Sequence, residues 1–118
     1  MPKSTAEEKA ARTQAIQQAT KYAIEVPFAV MKAAYQSMEV IKAMAETGNP
    51  NSVTDAGVAA LCARTAVLGA HLNVKINAQG YNDKTQIQEL LNEAEVIRQM
   101  ATDLETEIIS IVNAKIGG

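Results

Sequence analysis

GNPNSVTDAGVAALCARTAVLGAHLNVKIN, residues Gly48–Asn77, joins a helix stop, a helix start and a long, nearly uncharged helix. Gly48 is expected in the left-handed conformation that closes a helix, and Pro50 bars its continuation. Asn51 or Ser52 can cap the next helix by accepting from an unpaired backbone N–H. From Val53 to Gln79 the only fully charged side chains are Asp55, Arg64 and Lys75. Val58, Leu61, Leu68, Leu72 and Ile76 form a bulky stripe. A second stripe of small residues, Ala56, Ala60, Ala63, Val67 and Ala70, runs into Asn73 and Asn77. A helix apolar on two sides is central to its fold, and small residues let neighbouring backbones come close.

On the N-terminal side, Ser4 with Glu7, or Thr5 with Glu8, can form a capping box. Apolar residues then recur every three or four positions through Ile16, Ala19, Ala23, Val26, Val30, Ala34, Met38, Ile41 and Ala45. Pro27 interrupts this run; it removes one backbone hydrogen bond and crowds the Ala23 carbonyl, so a kink or break is predicted there. On the C-terminal side a helix is predicted over 83–115, starting near Asn82 or Asp83. Its stripe reads Ile87, Leu90, Ala94, Ile97, Ala101, Leu104, Ile108, Ile111, and Gly117-Gly118 should fray. No segment alternates at period two for long enough to make a strand. The prediction is all-α: an antiparallel bundle with a first helix kinked at Pro27, a central helix over 53–79 and a final helix. The central helix has more apolar surface than two neighbours can cover, so a further helix or a second copy is expected against it.

The chain has 118 residues, 47% of them hydrophobic and only 3% aromatic, so it makes one domain at most, with an aliphatic core. A net charge of −2 without a dense Lys/Arg run argues against nucleic acid as a partner. No uninterrupted apolar run reaches a membrane span and MPKSTAEEKAAR has no signal-peptide character, so a cytoplasmic protein without a membrane partner is expected. Cys62 stands alone and reads as a small buried filler; His71, also alone, reads as structural or solvent-facing rather than as a metal ligand.

Several stretches resemble a known family. Thr54-Asp55-Ala56-Gly57-Val58-Ala59-Ala60-Leu61 and Gly69-Ala70-His71-Leu72-Asn73-Val74-Lys75-Ile76-Asn77 are similar to the folate-dependent cyclodeaminase/cyclohydrolase family, which includes formimidoyltetrahydrofolate cyclodeaminase and methenyltetrahydrofolate cyclohydrolase. Pro2-Lys3-Ser4-Thr5 with Glu7-Glu8-Lys9, Glu25-Val26-Pro27 and Gly48-Asn49 extend the resemblance in the right order. It implies that residues 1–118 are the C-terminal half of a longer helical domain, with a glycine-rich part and the family's catalytic aspartate in the other half. It further implies a tetrahydrofolate derivative as substrate, no prosthetic group or metal, and a homodimer or higher oligomer. The possible reactions are closure of a formimino group with release of ammonia, or hydrolysis of the methenyl bridge. A chain holding half of such a site is expected to lack turnover alone. The alternative is a non-catalytic helical dimerisation or interaction module.

Within this chain Asn73 and Asn77 are the candidate substrate-binding residues, since their i, i+4 spacing puts both amides on one face. An interhelical hydrogen-bond pair that fixes packing is the other reading. Asp55 and Glu25 are the candidate acids. Asp55 lies 18 residues before Asn73, about 27 Å along a continuous helix, so one chain cannot bring both to one small site; capping its own helix is the simpler role. Glu25 either is solvated or faces a cleft at Pro27. Lys21, Lys32 and Lys75 could meet a polyglutamate tail or be merely solvated.

Overall fold

The computed structural model describes residues 5–117, so Pro2-Lys3-Ser4, including the Ser4 alternative for the first cap, and Gly118 lie outside the described residues. Three helices account for nearly all the rest: α1 Ala6–Thr47, α2 Val53–Ala78 and α3 Lys84–Ile116, with a short 3-10 turn at Pro50–Ser52. Each start follows from local chemistry. Thr5 Oγ1 accepts from Glu8 N at 3.0 Å, and Asp83 Oδ1 accepts from Gln86 N at 3.0 Å. Between α1 and α2 the capping side chain is Asn49, whose Oδ1 accepts from Asn51 N at 2.9 Å; Ser52, at the N-cap of α2, makes no side-chain cap bond.

Gly48 is not left-handed. Its φ is −75° and ψ 178°, extended backbone open to any residue. Glycine is required there for clearance instead: an added Cβ would fall 2.4 Å from Met44 O. The left-handed cap is at the other end of the chain, where Gly117, with φ 91°, closes α3 rather than fraying from it.

α1 also does not break at Pro27. It runs for 42 residues through the proline. Pro27 has no N–H to give the Ala23 carbonyl, and Asn77 Nδ2 on α2 donates to that oxygen at 3.2 Å. A donor from a neighbouring helix thus takes the place of the missing helical one.

The chain is a rod of 70 × 23 × 17 Å with a radius of gyration of 19.6 Å, against about 13–14 Å for a spherical domain of this length. α2 runs antiparallel to the other two and touches both. Towards α1 it presents the small-residue stripe, with Ala60, Val67 and Val74 fully buried against Ile24, Met31 and Met38. Towards α3 it presents Gly57, where an added Cβ would fall 3.4 Å from Val112 Cγ1, then Arg64 facing Glu105, then His71 facing Glu95. α3 buries Ile87, Ala94, Ala101, Leu104 and Ile108, five of its eight expected stripe positions.

The expected bulky stripe of α2 faces outward, and that of α1 is split, with Met38 and Ala45 buried and its bulky earlier members exposed. On α2, Val58, Leu61, Leu72 and Ile76 are 47–62% exposed. On α1, Ile16, Val26 and Val30 are exposed, and Ile24, Phe28 and Met31 take the core positions. Cys62, expected as a buried filler, is exposed on the outer face of α2. The Pro50–Ala78 segment is long and apolar enough to cross a membrane by length and mean hydropathy (1.3) alone, but its small-residue face is sealed against α1.

Long-range polar bonds hold the two ends of the rod. Gln17 Nε2 donates to Gly80 O at 3.0 Å, and Asn82 N donates to Gln17 Oε1 at 2.8 Å, so one amide fastens both sides of the α2–α3 turn. At the other end Lys115 Nζ donates to Ala45 O at 2.5 Å and to Glu46 O. α1 has no basic residue in its own last turn, and Lys115 supplies the cation its C-terminus lacks.

Candidate functional site

Asn73 and Asn77 line an open groove of about 620 Å³ between α1 and α2. The α1 side is built by Tyr22, Val26, Pro27 and Val30; Ala66 and Ala70 make the floor on α2. The floor is shallow because these α2 residues have no side chain beyond Cβ, and Val26 and Val30 are exposed because they wall a groove instead of filling a core. The site therefore combines an apolar bed, one aromatic ring and two amides, the composition expected of a place for a flat, polar-edged ligand.

The two asparagines do not bond to each other through their side chains. Asn77 Nδ2 donates to Ala23 O and, at 2.9 Å, to Asn73 O. The Asn73 side chain is exposed and makes no hydrogen bond among the described residues. Thus the Asn77 amide nitrogen is tied to backbone, while the Asn73 side chain is unengaged. Tyr22 is the groove residue that sequence periodicity missed. It falls just off the apolar stripe of α1 and is 70% exposed.

The two candidate acids lie elsewhere. Asp55 lines a cleft of about 420 Å³ at the α1–α2 turn, with Met44, Asn49 and Ser52. Glu25 borders a cleft of about 70 Å³ with Lys21, Tyr81 and Gln86. Neither carboxylate lines the asparagine groove. The three lysines are also dispersed: Lys21 beside Glu25, Lys32 over the Phe28 ring at 4.5 Å, and Lys75 in a cleft between α2 and α3.

That last cleft, about 510 Å³, is lined by His71, Lys75, Lys84, Gln88, Asn92 and Glu95 among others. His71 is 4% exposed, with Nε2 3.9 Å from Glu95 Oε2. Its pKa is held below the ordinary 6.5, first by burial and then by the Lys75 charge, against the opposing pull of Glu95. Glu95 is itself held by Arg98, which donates to both carboxylate oxygens at 2.5–3.0 Å and keeps the carboxyl pKa below its ordinary range. No group of three or more His, Cys, Asp or Glu able to hold a metal comes together among the described residues.

Comparison with known proteins agrees with the resemblance carried by the α2 stretches. The chain is 40% identical over 116 residues to a methenyltetrahydrofolate cyclohydrolase of Methylorubrum extorquens, covering 98% of this chain and 56% of that protein. It is 34% identical over 101 residues to the formimidoyltransferase-cyclodeaminase of Rattus norvegicus, covering 80% of this chain and 19% of that protein. The Gallus gallus formimidoyltransferase-cyclodeaminase is 37% identical over 84 residues, 71% of this chain and 16% of that protein. The chain spans about half the length of the first relative and about a fifth or less of the other two. All of α1 and α2, and so every residue of the asparagine groove, falls inside the stretch 1–96 that matches the formiminotransferase-cyclodeaminase family, and the chain belongs to that family.

Proposed function

We propose that this chain supplies one wall of a folate site in one-carbon metabolism. The reaction is conversion of 5-formiminotetrahydrofolate to 5,10-methenyltetrahydrofolate with release of ammonia, or hydrolysis of 5,10-methenyltetrahydrofolate. The observation that carries this reading is the α1–α2 groove, which joins an unengaged Asn73 amide, the anchored Asn77 and the Tyr22 ring over an alanine floor. Similarity to a methenyltetrahydrofolate cyclohydrolase and to a formimidoyltransferase-cyclodeaminase supports the substrate class.

Both reactions need a group that moves a proton beside the one-carbon unit. In the first, N10 bonds to the carbon of the protonated formimino group and gives up its proton, and the C–N bond to the departing nitrogen breaks as that nitrogen takes up one proton and leaves as ammonia. In the second, water adds to the methenyl carbon and one C–N bond opens. Neither Asp55 nor Glu25 is within the groove lining. On this reading the acid or base comes from other helices, either the N-terminal half of a longer domain or a second copy. A homodimer formed over the exposed stripe Val58, Leu61, Leu72 and Ile76 would supply such a copy.

Equilibrium binding of 5,10-methenyltetrahydrofolate, to the chain alone and to the chain joined to the upstream half of a relative, tests the proposal. Binding that Asn73→Ala weakens about tenfold without lowering stability is the expected result. No binding in either form would overturn it.

A further inference from the structure

Asn77 sits where two main-chain carbonyls converge, Ala23 O from α1 and Asn73 O from one turn earlier in α2. Carbonyl oxygens only accept, so the atom placed between them is the amide NH2, and the side chain cannot turn over without losing both bonds. Both hydrogens are thereby committed to backbone. Oδ1 is the polar atom of Asn77 left for a ligand in the groove, and it can accept but not donate.

Pro27 creates this arrangement. Any other residue at that position would carry an N–H able to satisfy Ala23 O within α1. With proline there, the oxygen is open to a donor from α2, and Asn77 is the residue that reaches it. Asn73 is the contrast: its amide makes no hydrogen bond among the described residues and can present either end.

Building on the folate reading, we propose that Asn77 is the specificity-determining residue of the groove. Its Oδ1, held as an acceptor through Ala23 and Pro27, selects the donor edge of a fused heterocycle, an exocyclic amine next to a ring N–H. A ring with a carbonyl in place of that amine is discriminated against, because two acceptors then face each other. Tyr22 and Pro27 give the ring apolar surfaces to lie against, and Asn73 contacts the neighbouring polar position in either sense.

The test uses the whole chain and two bicyclic probes: pterin, which has the 2-amino-4-oxo edge, and lumazine, in which an oxygen replaces the amine. Pterin is expected to bind about tenfold more tightly, the worth of one neutral hydrogen bond and the repulsion it avoids. Asn77→Ala should bring the ratio of the two dissociation constants close to one. Pro27→Ala, which returns an N–H to Ala23 O, should lower the ratio while α1 stays helical. Asn73→Ala should weaken both probes and leave the ratio unchanged. If pterin binds in the groove and Asn77→Ala keeps the preference, the selectivity assignment fails and the folate reading stands. If neither probe binds, to the chain alone or to the chain joined to the upstream half of a relative, the folate reading fails and takes the assignment with it. A measurement without ligand guards against an unfolded variant: by NMR of the wild-type chain, the Asn77 side-chain amide protons should exchange with water far more slowly than those of Asn73. Equal, fast exchange at both residues would overturn the lock.

Discussion

The ammonium of Lys115, in the last turn of α3, lies 2.5 Å from the carbonyl oxygen of Ala45, in the last turn of α1. Two parallel helices thus end together, and the cation of one serves the unpaired carbonyls of the other. Lys115→Met keeps the aliphatic stem and removes the charge. It should lower stability by about 1 kcal/mol, measured as a shift of the urea midpoint with an unchanged slope.

Gly48 offers a test that separates two explanations of this helix stop. Its backbone is extended and its missing Cβ clears Met44 O, so Gly48→Ala and Gly48→Asn should both destabilise, by about 2 kcal/mol. Asparagine tolerates a left-handed position but carries the same Cβ. A Gly48→Asn variant as stable as the wild type in thermal unfolding would contradict the steric account.

Gly69 is the opposite case, an exposed glycine inside α2 with nothing within 4 Å of an added Cβ. Gly69→Ala should stabilise the chain by about 0.5–1 kcal/mol through helix propensity, seen as a higher urea midpoint.

His71 is the only histidine and its pKa is depressed by burial and Lys75, with Arg98 also lowering it and Glu95 opposing. The unfolded chain therefore binds a proton more readily than the folded one. Its destabilising effect is absent above the ordinary value of 6.5 and grows as pH falls below that value, until the lower folded pKa is passed. Glu95 adds a separate loss at more acid pH, because its depressed pKa makes its contribution present above the ordinary 4.5 and lost as it protonates. Denaturant unfolding at pH 7.5 and 5.5 should show a drop in the wild type that is much smaller in His71→Leu.

The outward stripe on α2 predicts self-association. Sedimentation at micromolar concentration should show a dimer or larger species, and Leu61→Glu with Leu72→Glu should shift it to monomer while helicity is kept. A monodisperse wild-type monomer would refute the proposed interface.

The helix limits were legible because they are written locally: Thr5 with Glu8, Pro50 after Gly48, Asp83 with Gln86. Facing was less so. Periodicity says that Val58, Leu61, Leu72 and Ile76 share a side, but not whether this chain covers it, and the same holds for Val26 and Val30 on α1. The continuity of α1 through Pro27 could not be read either, since the donor to the Ala23 carbonyl is Asn77, 54 residues from Ala23 in sequence. For the groove, the asparagine pair was visible from its spacing. Its division into an anchored Asn77 and a free Asn73 depends on a carbonyl of another helix, and Tyr22 joins them only through packing.

The turn between α2 and α3 takes two of its hydrogen bonds from Gln17, which precedes Gly80 by 63 residues. Bonds within the turn, Tyr81 N to Ala78 O and Lys84 Nζ to Gln79 O, span only a few residues, and the Gln17 clasp adds a hold from outside the hairpin that is in place only once α1 is alongside. Synthesis from the N-terminus suits this arrangement. The helix carrying the clasp leaves the ribosome before the turn it fastens, and the long-range contact is waiting when α3 emerges.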